Sequence, residues 1–210
     1  MMRSSDLRRE ENYNEYLRLL QNEDYLDVTY DEKSGGVSAV HKLHKFDKQH
    51  AANGMRRGEH ERVVLDVLRG CGHRVVLGAE TNTPGVKSFD GFLDDAPMEI
   101  KTIEGNGTWA ISSKLRYAEK QRAQSVVLFF PEEDNYSPFR VNEGIRLFCS
   151  DPGRDRDDSV MSRLLILVNH HLVASWNKKA TPIEGWSIQE GLRRENGANS
   201  YTLSPSDAKV

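Results

Sequence analysis

Cysteine is scarce: Cys71 and Cys149 are the only two in 210 residues, and they lie far apart. That usage excludes a disulfide-stapled scaffold and fits a reducing compartment, with both thiols serving as small apolar residues. Long apolar runs are also missing. The longest, such as Leu164–Val168, fall far short of the ~20 residues that span a bilayer. The opening residues, Met-Met-Arg-Ser-Ser-Asp-Leu-Arg-Arg-Glu-Glu, contain no apolar stretch of the kind a secretory signal requires. A cytoplasmic protein without a membrane partner is therefore expected. Charge of one sign is not in excess either, the formal net charge being −3. This rules out a uniformly cationic chain and leaves room for a locally basic face. No internal repeat is visible.

What is present divides into three stretches: an accessory segment at 1–53, a main domain at 54–190, and a polar, aperiodic tail at 191–210, expected to be mobile. In the first, Tyr13, Tyr16, Leu17 and Leu20 recur at helical spacing. Tyr25–Tyr30 alternates like a strand, Ser34-Gly35-Gly36 marks a turn, and Val37–Leu43 can return as the second strand of a hairpin. In the main domain Glu59–Arg69 reads as a helix closed by Gly70 and Gly72, with Val63, Val64, Val67 and Leu68 on one face. Strands are predicted at His73–Leu77, Ser88–Leu93 and Met98–Ile103, the last two separated by a turn over Asp94-Asp95-Ala96-Pro97. A helix over Trp109–Gln124 and an apolar strand over Val126–Phe130 follow. The order is αβββαβ, an α/β fold. Beyond it come a short helix over Val141–Cys149 and apolar runs at Leu164–Val168 and Leu172–Trp176, placed to extend the sheet.

The chemistry concentrates in Pro97-Met-Glu-Ile-Lys-Thr-Ile103. Alternate side chains of a strand share a face, so Glu99 and Lys101 point one way while Met98 and Ile100 enter a core. Asp90 lies on the preceding strand, where hairpin pairing brings it beside Glu99 on the same face. Two carboxylates held close repel each other, and Mg²⁺ or Mn²⁺ relieves that repulsion by taking oxygen ligands from both. A cation so bound acidifies water and offsets charge on a phosphoryl oxygen, with Lys101 orienting the water or the phosphate. Glu59, one and two helical turns before Val63 and Val67, is a further acid aimed at the same cluster; support of the helix dipole is its alternative role.

These residues resemble the PD-(D/E)xK nuclease superfamily: Glu59 in a first helix, then Asp90, then Glu99-Ile100-Lys101, then a helix with Gln121 and Gln124. More narrowly, residues 58–130 are similar to the C-terminal tRNase domain of contact-dependent growth inhibition toxins of the CdiA type. The shared features are Gly58-Glu59, the Lys87-Ser-Phe-Asp90 stretch, Glu99-x-Lys101, and a Gln on the helix before the last core strand. Related modules occur in phage and mobile-element proteins. Phe89 stands where the family's name has Pro, which removes no ligand. The resemblance implies a restriction-endonuclease-like core, a divalent cation on Asp90, Glu99 and Glu59, and catalysis by these residues with Lys101 and Gln121. It also implies RNA of the tRNA kind rather than DNA as substrate, and an immunity or inhibitor protein as partner. Delivery into another cell within a larger toxin is compatible with it.

Competing readings attach to each feature. Asp90, Glu99 and Lys101 can instead form a solvated ion-pair ladder on an exposed sheet face. Lys114, Arg116, Lys120 and Arg122, with Trp109 and Tyr117, suit a nucleic-acid backbone and a stacked base, or else make the cationic outer face of an ordinary amphipathic helix. His41-x-x-His44 with His50 invites zinc, but matching cysteines are missing and His170-His171 is a poor chelating pair. The basic run His41–Lys48 with Arg56-Arg57 reads as a phosphate-contacting surface or a solvated face.

Overall fold

The computed structural model describes residues 4–46, 58–79, 89–105, 107–152 and 159–188. The tail at 191–210, His50, Arg56-Arg57 and Lys87-Ser88 lie outside the described residues. The chain is α/β, with one mixed sheet of eight strands flanked by helices. The elements are α1 (Ser4–Leu20), β1 (Tyr25–Tyr30), β2 (Val37–His41), α2 (Glu59–Gly70), β3 (Arg74–Leu77), β4 (Gly91–Leu93), β5 (Ala96–Thr102), α3 (Thr108–Lys120), β6 (Ser125–Phe130), α4 (Pro138–Cys149), β7 (Arg163–Val168) and β8 (His171–Asn177). The strands lie in the sheet in chain order, β1 to β8. Pairing is parallel for β2/β3, β5/β6 and β6/β7 and antiparallel elsewhere. The expected helix–three strands–helix–strand order is thus present from α2 to β6.

Each face of the sheet has its own core. Beneath one face, Val64, Leu65 and Leu68 of α2 pack on Val75, Leu77, Leu93, Met98, Ile100, Val127 and Phe129. Burying each such side chain contributes ~1.5–3 kcal/mol. On the other face, Ile111, Leu115 and Ala118 of α3 and Val141, Ile145 and Phe148 of α4 cover Val126, Leu128 and Phe130. All six residues of β6 are buried, which explains its unbroken apolar sequence. Gly144 permits the close approach of α3 and α4, because a Cβ there would press on Ile111 at 2.6 Å.

The N-terminal segment is joined to this sheet. β2 pairs in parallel with β3, and Val37 and Ala39 are fully buried under Leu19 of α1. Asn12, itself buried, donates to the carbonyls of Gly35 (2.9 Å) and Gly72 (3.3 Å). A side chain at Gly36 would collide with the Arg69 carbonyl, so the hairpin turn lies flush against the end of α2.

The turn between β4 and β5 is shorter than predicted. Asp94 and Asp95 alone make it, both at positive φ (48° and 68°), while Ala96 and Pro97 belong to β5. Two consecutive left-handed residues form the turn whose twist suits a tight hairpin, and Asp tolerates the conformation better than most residues. Asp94 then gathers Arg8 of α1 (2.9 Å), His73 (2.9 Å), the Arg74 N–H (3.0 Å) and Arg163 of β7 (2.7 Å). Burial raises the Asp94 carboxyl, but these donors and cations outweigh it and hold the group well below the usual carboxylate range.

Candidate active site

The register of the β4–β5 hairpin decides the site. Gly91 pairs with Met98 and Phe92 with Pro97, so Asp90, one residue before β4, falls opposite Glu99. Asp90 Oδ2 accepts the Ile100 N–H at 2.6 Å, which ties the carboxyl to the middle of β5. Glu99 and Lys101 share the other side of β5 from Met98 and Ile100, which are buried toward α2. Glu99 is only 1% exposed. A solvated ladder is therefore not what the strand presents; the carboxylate is inside the molecule.

The electrostatics follow from that burial. Removal from water pushes the Glu99 carboxyl up, the Asp90 charge pushes it further, and Lys101 only partly restrains the rise, leaving a value of about 7. Asp90 is also raised, first by burial, with Glu61 adding like charge while Lys101, the Ile100 N–H and His44 oppose. Lys101 Nζ donates to Glu99 Oε2 and lies over the Tyr117 ring, 4.9 Å from its centroid. Glu99 Oε1 is buried and has no hydrogen-bond partner among the described residues. A buried carboxylate oxygen without a donor, near a second carboxylate, costs folding free energy unless a proton or a cation satisfies it.

On α2, Glu61 stands beside Glu59 as a second acid at this end of the helix. The buried stripe of α2 is His60, Val64, Leu65 and Leu68, with Val63 and Val67 only half-buried beside it. In that phase Glu59, at the first position of α2, and Glu61 are both half-buried, and the charge of Glu61 bears on the Asp90 carboxyl. The signal is present in the sequence: Glu61 precedes Leu65 by four residues and Leu68 by seven, the spacing of one helix face.

On α3 the predicted residues divide. Arg116 bonds Asp151 (2.8 Å) and lies over the Trp109 ring (4.8 Å to its centroid), joining α3 to the end of α4. Lys114, Lys120 and Trp109 are exposed. Gln121 caps the helix, its N–H donating to the Tyr117 carbonyl and its side-chain oxygen buried without a partner among the described residues. It stands one turn beyond the ring that receives Lys101. Gln124 is exposed. Two aromatic residues that the catalytic pattern omits stand near this strand pair: Tyr117, whose ring receives Lys101, and Phe92 of β4, whose ring leans over Gly78 just after β3. Both rings remain open to solvent, at 57% and 43%.

No family model, curated protein or solved structure matches the chain. Among the described residues no group of three or more His, Cys, Asp and Glu side chains gathers to hold a metal ion. The histidine pair separates: the His41 ring accepts the Leu43 N–H and lies against Tyr25, while His44 turns inward to Gly78 and Glu61. Lys42 of the basic run pairs with Asp24. No helix among the described residues is long and apolar enough to cross a membrane. Asp90 and Glu99 still suit Mg²⁺ or Mn²⁺, since Mg²⁺ keeps several waters and commonly takes one or two carboxylates alongside substrate phosphate.

Proposed function

We propose that this chain is a divalent-metal-dependent endonuclease of the PD-(D/E)xK type that hydrolyses phosphodiester bonds, RNA being favoured over DNA. The observation that carries the reading is the half-buried Asp90 set opposite the buried Glu99, one of whose carboxylate oxygens has no hydrogen-bond partner among the described residues, with Lys101 two residues along the same strand face. The α2–β3–β4–β5–α3–β6 succession supports a restriction-endonuclease-like core. Mg²⁺ or Mn²⁺ held by Asp90 and Glu99 would lower the pKa of a bound water and offset charge on the scissile phosphate. Lys101, steadied by Glu99 and the Tyr117 ring, orients the nucleophile or the phosphate. Glu61 adds a second helical carboxylate beside Glu59, the one that the resemblance assigned. Phe92 and Tyr117 offer stacking surfaces near this strand pair, which suits unpaired bases such as those of an RNA loop. Lys114, Lys120 and Trp109 on α3 can accompany the backbone beyond. An inhibitor protein as partner belongs to the same toxin-like reading.

A binding module without catalysis is the second reading, favoured by the direct Lys101–Glu99 ion pair, which neutralises one carboxylate without a metal. Labelled tRNA and plasmid DNA incubated with and without Mn²⁺ separate the two. An endonuclease cuts only with metal, and Glu99→Gln and Lys101→Ala each lower the rate by ~10² or more while the fold persists. Intact nucleic acid in every tube, with no metal-dependent thermal shift, leaves the binding reading.

A further inference from the structure

The ring of His44 is fully enclosed, with no side-chain exposure. It lies edge-on to Phe46, with centroids 4.9 Å apart. Its Nδ1 is 2.9 Å from the Gly78 carbonyl oxygen and its Nε2 is 3.1 Å from Glu61 Oε1. A carbonyl only accepts, so Nδ1 carries a hydrogen and donates it. The Nε2 contact is with a carboxylate oxygen, so that bond also holds a hydrogen between the two atoms. Both ring nitrogens are thereby engaged, and rotating the ring would set carbon atoms against both acceptors. Gly78 in turn donates its own N–H to the Asp90 carbonyl at 3.0 Å. One side chain from the stretch after β2 therefore connects the first turn of α2 with the backbone that carries Asp90.

We propose that His44 is a positioning residue for the acidic centre, fixing Glu61 beside Asp90 and making the N-terminal segment part of the active site. The inference rests on the nuclease reading. It differs from a packing role in a definite way: the geometry of Glu61, and through it metal binding and turnover, depends on the Nε2 side of the ring. An Asn at this position can reproduce the donor to Gly78 but not the one to Glu61; a Gln can place its amide nitrogen where Nε2 lies.

The test compares wild type, His44→Asn, His44→Gln and Glu61→Gln. It measures kcat and KM for RNA cleavage, and separately the Mn²⁺ concentration that half-saturates the rise in melting temperature. For His44→Asn, kcat falls ~10–100-fold, the Mn²⁺ midpoint rises by a similar factor, as losses of ligand-orienting partners do, and KM changes little. His44→Gln recovers most of both. Glu61→Gln, which keeps a hydrogen-bonding partner for His44, loses both. If His44→Asn melts lower yet retains kcat per folded molecule and the Mn²⁺ midpoint, the residue is only structural and the proposal is overturned. Should His44→Asn fail to fold, unchanged kcat and Mn²⁺ midpoint in Glu61→Gln overturn it equally. A wild type that neither cleaves nucleic acid nor responds to Mn²⁺ overturns the nuclease reading itself, and this inference with it.

Discussion

Glu99 is an acid that folding makes harder to ionise. Its carboxyl moves from an ordinary value of 4.5 to about 7, so between those limits the folded chain holds more protons than the unfolded one. Stability contributed by this group therefore falls as pH rises through that window, by an amount on the order of 1–3 kcal/mol. In EDTA, Glu99→Gln is expected to melt above wild type at pH 8, the gap narrowing toward pH 4.5. Mg²⁺ should then raise wild type and leave the variant nearly unmoved. Melting curves that show no pH-dependent gap would remove the argument for a strained carboxylate pair. The aromatic rings near the strand pair make a separate prediction. Phe92→Ala and Tyr117→Ala are each expected to weaken binding of a single-stranded oligonucleotide by ~1–3 kcal/mol, with little effect on a blunt duplex; equal losses on both substrates would count against base stacking.

At the level of elements, the β4–β5 hairpin does two jobs. Its strands set Asp90 opposite Glu99, and its turn residue Asp94 collects the guanidinium groups of Arg8 on α1 and Arg163 on β7 together with the His73 ring just before β3. Asp94→Asn keeps the turn conformation, because Asn accepts positive φ, and removes the charge. A loss of about 2–4 kcal/mol is expected at pH 7, since the cations around it would be left without their anion. Because the folded carboxyl sits below its ordinary value, that stability is present above about pH 4 and is lost as pH falls further. Denaturant titrations at pH 7 and pH 3 check it: the gap between the two proteins should begin to narrow at the lower pH.

This hairpin also shows what the sequence made legible and what it hid. Glu99 and Lys101 on one face followed from strand alternation alone, and the opposition of Asp90 followed from a short turn. The turn's true length did not, because Pro97 after two aspartates resembles loop composition, whereas Pro97 is the second residue of β5. The phase of α2 was misjudged for a similar reason. Valines occupy positions 63, 64 and 67, and a run of like residues does not say which of them face inward. Only contact with the sheet selects Val64, Leu65 and Leu68 as the buried stripe. His44 was hidden further, since its partners Glu61 and Gly78 are distant in sequence and meet only when β2 joins β3.

For the whole molecule, the N-terminal hairpin and α1 are integral to the sheet rather than appended to it. A chain of residues 54–190 would lose β2, open the edge of β3, and uncover surface now buried by Leu19, Val37 and Ala39. Compared with residues 1–190, it is expected to aggregate or to unfold without cooperativity. Size-exclusion chromatography and thermal denaturation of the two fragments decide this; equal melting temperatures would mean that the first 53 residues are dispensable for stability.

The spatial succession of strands matches their succession in the chain. As synthesis proceeds, each newly emerged strand finds its neighbour already waiting at the growing border of the sheet, and no earlier pairing has to open to admit a later one. Glu61, Asp90 and Glu99 accordingly come together in the order in which they are translated. Assembly can then advance from one side to the other without the long-range searches that slow folding when distant strands must interleave.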